Sequence, residues 1–592
     1  MIDVSLLAPP RRWPVRLLSA LRRRLRTSEL WLILLSVAVG AAAGLLAVFQ
    51  SRIAHAMQSA LYHIGPNDHL SAVAAISPMR ALWLAVGGLA LGLFTWAVSR
   101  RRSTRLVDVV EANALHGGVL GLADSVIVCI QTIISNGFGA SVGLEAAYAQ
   151  AGGAAASYAG GRLKLRRHDM RILVGAGAGA AIGAAFGAPL TGAFYAFEIV
   201  IGSYTPSAIA PVAAACLTSV MVAKGVGGLP YSIEIKAQHS PDAIGYALYS
   251  GLGLICALAG VAIMQLVAGA ERLVRRSPIS QAMRPAVGGL LLGGLALVSP
   301  QTLSAGHGAL HLDLAVGMPV ALLAVVLLLK TSASIVSLGF GFRGGLFFAS
   351  LFLGSLLGQI YAGLLDLTPL TEKLTPENAA LVGMGALAVS IVGGPLTMSF
   401  LVLETTSDFG VAAATLAAAL IASTVVRERF GYSFSTWRLH LRGETIRSAR
   451  DIGWMRALTA GRMMRPDPQT VAAATRVEAF RQRFPLGSTS RVILLDADAR
   501  YQGILVTSDV FAEGVDPQAE VATLAISKDL ALSPETDVAA VMKIFEASGT
   551  DELAVIDAER HVLGLLAEAY VVRRYAGELE RQQLEFYGES RE

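Results

Sequence analysis

The chain has 592 residues, 54% of them hydrophobic and 15% charged, and its mean hydropathy is +0.57. That balance excludes an ordinary soluble domain and a disordered chain, and it marks an α-helical polytopic membrane protein with the lipid bilayer as its solvent. The formal net charge is +5, but the arginines flank apolar runs and form no basic helix interleaved with aromatics, so no nucleic acid partner is expected.

In chain order, residues 1–28 form a basic segment, with Arg22, Arg23, Arg24 and Arg26 directly ahead of a charge-free run from Leu30 to Ser51. Similar runs recur near 79–99, 172–197, 205–223, 244–269, 285–311, 314–329, 344–365, 378–403 and 409–425. At about 20 residues per span each can cross or enter a bilayer. Arg100, Arg101 and Arg102 follow the second run, and together with the basic start they predict a cytosolic N-terminus in a cell inner (plasma) membrane. The first apolar run has no signal-peptide order around it and is expected to stay as a span. Cys129, Cys216 and Cys256 lie in apolar segments without metal or redox spacing and read as packing residues. No nucleophile–base pair, metal cluster or phosphate-binding loop emerges, so neither an enzyme nor a metal site is expected. After about Gly443 charges become frequent and no run is long enough to span. We therefore divide the chain into a transmembrane domain, 29–442, and a cytosolic α/β domain, 443–592.

Both domains are internally duplicated. Gly137-Phe-Gly139 leading to Gly143-Leu144-Glu145 is echoed 202 positions on by Gly339-Phe-Gly341 leading to Gly345-Leu346-Phe347. Gly177-Ala-Gly179 leading to Pro189-Leu-Thr191 and Glu198 is echoed 206 positions on by Gly383-Met-Gly385, Pro395-Leu-Thr397 and Glu404. Glycine-rich breaks at matching places in two halves point to broken helices that meet near the midplane, with N-termini and backbone N–H groups aimed at an anion. In the tail, Val492 to Asp496 followed by Gly503-Ile-Leu is echoed by Ala554 to Asp557 followed by Gly564-Leu-Leu. Each copy reads as strand, turn, strand, with helical segments such as Val471–Phe484 and Asp537–Ser548 ahead of it.

Glu145 stands out among these residues. A carboxylate at bilayer depth costs roughly 2.5–3.5 kcal/mol on insertion scales, so it is expected to face a cavity or carry function. At a helix N-terminus it would occupy the place of an anion and compete for the same donors, and protonation would remove the competing charge.

With these motifs the chain resembles the CLC family of chloride channels and chloride/proton exchangers, followed by a pair of CBS modules. Gly143-Leu-Glu145-Ala-Ala is similar to the family's GREGP motif, Gly345-Leu-Phe347-Phe-Ala349 to its GIFAP motif, and Ala188-Pro189-Leu190 with Glu198 follows in family order. The resemblance implies a duplicated, inverted-repeat CLC-type bundle with broken helices and a small soluble CBS pair. It implies gating by Glu145, anion binding by Thr104, Gly143, Leu144, Glu145, Leu346, Phe347 and Ser435, and a homodimer with one pathway per subunit.

The chain also departs from the family pattern. GSGIP is replaced by Ser103-Thr104-Arg105-Leu106-Val107, the prolines of the other two motifs are Ala147 and Ala349, and the anion-contacting tyrosine falls on Ser435, with Tyr432 as a substitute. The inner proton-relay glutamate of exchangers falls on Ile199. Glu198 and Glu404 are either proton-pathway groups or buried structural carboxylates. Arg343 is an anion attractor, a partner for a buried glutamate, or a side chain that snorkels to an interface. In CBS pairs a Gly-apolar-apolar-Thr-x-x-Asp run binds an adenine nucleotide; here Gly503 and Asp509 remain, with Val506 in place of the threonine, and the second copy keeps neither polar residue. Three functions fit: a chloride channel, a chloride/proton antiporter, and a non-conducting membrane sensor reporting through the CBS pair.

Overall fold

The computed structural model describes residues 29–65, 68–102, 106–228, 241–369, 374–431, 433–434, 436–437 and 458–587. The chain divides into two compact units, Met1–Asp451 and Ile452–Glu592.

The first unit is helical, and its elements fall into two copies of eight among the described residues. The first copy comprises α1 (Glu29–Tyr62), α2 (Pro78–Arg101), α3 (Val109–Leu115), α4 (Leu122–Gly137), α5 (Glu145–Leu163), α6 (Arg167–Phe186), α7 (Pro189–Tyr195, continued by a π-type turn over Ala196–Ile201) and α8 (Pro206–Gly225). The second comprises α9 (Ala243–Arg276), α10 (Arg284–Val298), α11 (His307–Val316), α12 (Val320–Gly339), α13 (Phe347–Leu365), α14 (Pro376–Val392), α15 (Pro395–Thr406) and α16 (Phe409–Arg429). Packing repeats with the sequence: α5 packs on α6 as α13 does on α14, and α1 on α8 as α9 does on α16. Eight of the described helices are long and apolar enough to cross a membrane.

The apolar runs do not map one to one onto helices. Run 172–197 is broken where α6 ends on left-handed Gly187 (φ 67°) and Pro189 opens α7. Run 378–403 breaks at Gly393 and Gly394, both at positive φ, before Pro395 opens α15. Run 285–311 ends as a helix at Val298 and restarts at His307. Helices α4 and α5 have no counterpart among the apolar runs, because Asp124, Gln131, Asn136, Glu145 and Gln150 interrupt their hydropathy. Small residues let the helices approach closely. A Cβ on Gly177 of α6 would collide with the carbonyl of Gly152 on α5, and one on Gly383 of α14 with that of Gly354 on α13.

The second unit holds two copies of a small α/β motif. In the first, β1 (Thr470–Ala472) runs parallel to β2 (Arg491–Leu495), and β3 (Tyr501–Val506) pairs antiparallel with β2. The stretch expected to be helical from Val471 starts instead in β1, and its helix covers Val477–Arg483. In the second, the helix Val538–Ser548 precedes the antiparallel pair β4 (Glu552–Ile556) and β5 (Val562–Ala567). The copies agree in detail. Register shifts fall at Leu494/Leu495 and Val555/Ile556, and the left-handed turn residues are Ala499 and Arg560. Asp496 Oδ1 accepts the N–H groups of Asp498 and Arg500 as Asp557 Oδ1 accepts those of Glu559 and His561. The backbone N–H of Arg500 is the main reason the Asp496 carboxyl is held below the ordinary carboxylate value. Arg500 bridges His561 across the copies, and Ile493, Ile504, Ala554 and Leu565 join them in one buried cluster with Tyr501. Two duplicated α/β copies joined in this way are what the resemblance to a CBS pair implies.

Candidate anion site

The two repeat motifs meet. Gly143 N–H donates to the Gly345 carbonyl at 3.0 Å and Gly345 N–H to the Gly143 carbonyl at 3.3 Å, an antiparallel bridge between the segments that open α5 and α13. Two reciprocal bonds flank it. Ser141 N–H donates to Ser337 Oγ at 3.0 Å and Arg343 N–H to Ser135 Oγ at 2.9 Å, and these pairs exchange under the same 202-residue offset. Such an exchange is what a local two-fold axis through the bridge produces, so the copies are inverted and the N-termini of α5 and α13 face one another.

Glu145 is the first residue of α5 and only 3% exposed. Its carboxylate folds back over the bridge: a Cβ on Gly143 would collide with Oε2, and one on Gly345 would sit 3.7 Å from it. Neither oxygen meets a donor in good hydrogen-bond geometry, its nearest N–H groups being its own and that of Phe348. A negative group thus lies where the partial positive charges of two helix ends converge. The matching position of the second copy is Phe347, packed against Phe186 at 5.2 Å and Tyr195 at 6.2 Å between ring centroids. Tyr195, buried at the end of α7 and within electrostatic reach of Glu145 and Asp108, escaped the sequence reading.

Glu198 and Glu404 lie at a second crossing of the copies. Glu404 accepts the N–H groups of Leu190 and Thr191 and the Thr191 hydroxyl, all within 2.8 Å. Glu198 accepts those of Leu396 and Thr397, at 3.1 and 2.8 Å, and the Thr397 hydroxyl at 2.7 Å. Each carboxylate caps the helix of the opposite copy. Ile199 lies with its Cδ1 beside Gly393 and Gly394.

Of the other expected ligands, Leu144 and Leu346 are buried next to the bridge, whereas Thr104, Ser435 and Tyr432 lie outside the described residues. Asp108 caps α3 by accepting the Glu111 N–H at 2.8 Å, and Phe434 is buried. Gly503 is buried in β3, where a Cβ would stand 3.0 Å from the Ile526 carbonyl, and Asp509 is exposed at the start of the following turn.

Two cavities open beside the bridge. One, about 690 Å³, reaches Leu144 and Phe348 and is lined by His55, His69, His307 and His311. Its polar wall is a network in which Gln58 Nε2 donates to Asn136 and Ser304, Asn136 donates to the Val142 carbonyl, and the fully buried Lys330 donates to the carbonyls of Thr302, Leu303 and Ser304. The other, about 320 Å³, is lined by Arg343 together with Arg275, Arg284, Glu271 and Gln281. The sequence reading missed the histidines and Lys330; the available signal was polar residues standing alone in apolar helices.

Inverted copies of a broken-helix bundle, whose helix ends converge on a buried carboxylate, define a membrane anion transporter. The sequence profile of the voltage gated chloride channel family matches residues 87–427. A ClcB-like chloride channel protein of Ralstonia nicotianae is 31% identical over 59% of this chain and 82% of its own. A voltage-gated ClC-type chloride channel, ClcB, of Escherichia coli O157:H7 is 28% identical over 65% of this chain and 94% of its own. Among solved structures, a slow cyanobacterial Cl−/H+ antiporter superposes with a TM-score of 0.59 at 22% identity, over 69% of this chain and 97% of its own. A eukaryotic CLC transporter does so with a TM-score of 0.58 at 16% identity, over 93% of this chain and 98% of its own. The chain belongs to the CLC family of voltage gated chloride channels, whose members are transporters rather than enzymes.

Proposed function

We propose that the protein is a chloride channel: it passes small inorganic anions, chloride foremost, through one pathway in each subunit of a homodimer, with Glu145 as the gate. The observation that carries this reading is the Glu145 carboxylate lying over the Gly143–Gly345 bridge at two converging helix N-termini. Displacing or protonating it removes the negative charge that competes with an anion for the positive helix ends. The names of the relatives support chloride as the substrate. Thr104, Leu144, Leu346, Phe347 and Ser435 complete the proposed ligand set, with Glu198 and Glu404 in a structural role as helix caps. The basic start and the arginines after α2 orient the N-terminus and the CBS pair toward the cytosol, and an adenine nucleotide is the proposed ligand of Gly503 and Asp509.

A proton-coupled exchanger is the second reading, favoured by the fold it shares with the cyanobacterial Cl−/H+ antiporter and weakened by Ile199 at the inner relay position. Full-length protein in liposomes under a chloride gradient separates the readings. A channel gives dissipative current, an exchanger drives protons uphill, and a protein without flux defeats both and leaves the sensor. Glu145→Gln or Glu145→Ala is expected to remove most of the pH dependence of anion flux, and unchanged dependence defeats the gate assignment. A thermal shift on the full chain with ATP or AMP, lost in Asp509→Ala, tests the nucleotide site.

A further inference from the structure

The two cavities beside the bridge carry different charge chemistry. Positive-inside orientation sets the Arg102 end of α2 in the cytosol and the Tyr62 end of α1 outside. The arginine cavity includes Gly92 and Thr95 near that cytosolic end of α2, and the histidine cavity includes His55 and Gln58 near the outer end of α1. Inversion agrees, because α11, which carries His307 and His311, is the mate of α3 and lies on the opposite side of the bridge.

The histidines surround the route to Glu145. The rings of His55 and His69 are 6.5 Å apart and those of His69 and His307 6.3 Å, while His307 packs 3.6 Å from the centroid of Phe348, the second residue of α13. Among the described residues no three such groups are close enough to hold a metal, yet the 6.5 Å between the His55 and His69 rings leaves room for a small anion to touch both.

The charged groups around them are few. On α1, Arg52 donates to the carbonyls of Val226 and Gly227 at 2.6 and 3.2 Å. Asp68 stands beside His69. Lys330 lies behind His307 with its ammonium on three carbonyls, and Glu145 lies beyond Leu144. Among the described residues lining the cavity none is acidic, and Asp68 at the rim and Glu145 beyond Leu144 are the acids nearest the imidazoles.

We propose that the histidine cavity is an external, proton-switched anion-holding site: once His55, His69 and His311 are protonated they hold a small inorganic anion on the way to Glu145, whereas the arginine cavity collects anions from the cytosol at any pH. Proton and anion assist each other's binding, since an anion between the rings relieves imidazolium repulsion, and linkage makes the effect reciprocal. His69, in the connection between the spans α1 and α2, is held below its ordinary 6.5 by burial, then by His55 and His311, against Asp68. Its charge is therefore present on the acid side of that value and lost as pH rises.

This inference rests on the anion-transport reading. The test uses full-length protein in liposomes, with Glu145→Gln as background to remove the gate's own titration and with pH varied on one face at a time. Chloride flux is expected to rise at least about threefold as the histidine face goes from about pH 7.5 to about pH 5.5, and to stay flat when the arginine face is acidified. In the same background, His55→Gln, His69→Gln and His311→Gln together are expected to flatten the response. His69→Gln alone, in the connection between α1 and α2 and outside the packed helices, is expected to reduce it, which serves if the triple variant fails to fold. Acid activation that survives these changes, or that comes equally from the arginine face, overturns the proposal. Absence of flux in the unaltered protein overturns the transport reading instead.

Discussion

The segment at Gly143-Leu144-Glu145 and its counterpart at Gly345-Leu346-Phe347 share a backbone and differ in chemistry. Everything that builds the meeting point is reciprocal: the glycine bridge, the serine hydroxyls that each take an N–H from the other copy, the paired caps of Glu198 and Glu404. Apart from those paired caps, the charged groups are not reciprocal. Glu145 faces Phe347, and Lys330 on α12 stands where α4 has Val128. The duplication supplies a rigid frame, and function enters through departures from it. Changes to shared features should therefore act alike in both copies, and changes to unshared ones should act in one.

The largest expected effect is on shared close contacts. Gly177→Val and Gly383→Val each push a side chain into the carbonyl of the neighbouring helix, at Gly152 and Gly354. No flexible group can yield there, so the cost should exceed the about 1–3 kcal/mol usual for overpacking. Both variants should lose the monodisperse peak in detergent size-exclusion chromatography. One folded and one unfolded variant would break the equivalence of the copies.

The sequence carried the frame better than the site. Spacing alone exposed both repeats and the equivalence of Glu198 with Glu404, because a duplicated backbone keeps its glycines and prolines. It could not show that each carboxylate caps the other copy's helix, since the contact spans about two hundred positions and depends on inversion. Hydropathy hid α4 and α5, whose polar residues face the interior of the bundle rather than lipid. The histidines of the cavity at Leu144 and Phe348 come from three separate segments, and no local pattern unites His55, His69, His307 and His311. Arg343 was legible as unusual, and only the fold puts it with Arg275 and Arg284.

Among unshared features, Lys330 is the strongest structural probe. Its ammonium is fully buried and its three donors reach the carbonyls of Thr302, Leu303 and Ser304 at 3.3, 3.3 and 2.7 Å. Lys330→Met keeps the length of the stem, removes a desolvated charge and leaves those carbonyls without their donor. The second loss should dominate, at about 2–3 kcal/mol, because hydrogen bonds to charged groups are the stronger kind. Thermal unfolding in detergent should fall clearly. Val128 at the matching place is buried and apolar, so the smaller change Val128→Ile should lower it less, and equal losses would mean that Lys330 acts only as a spacer.

The smallest expected effect is also the sharpest test of inversion. Ser337 Oγ accepts the Ser141 N–H and Ser135 Oγ accepts the Arg343 N–H, so Ser337→Ala and Ser135→Ala each strand one backbone donor of the opposite copy. A stranded buried N–H costs about 1–3 kcal/mol, and water can recover part of that in a hydroxyl-sized gap, which puts each loss near about 1 kcal/mol. The two losses should match within about 0.5 kcal/mol. Their double variant should be near the sum, because the bonds lie on opposite sides of the bridge and share no atom. Ser337 carries one further neighbour of interest: Ser141, whose N–H it accepts, also places its Oγ 3.2 Å from Ser334 Oγ. That contact belongs to the first copy's loop alone, so a loss at Ser337 clearly larger than at Ser135 would show that this loop, the one bearing Glu145, is held more tightly than its mate.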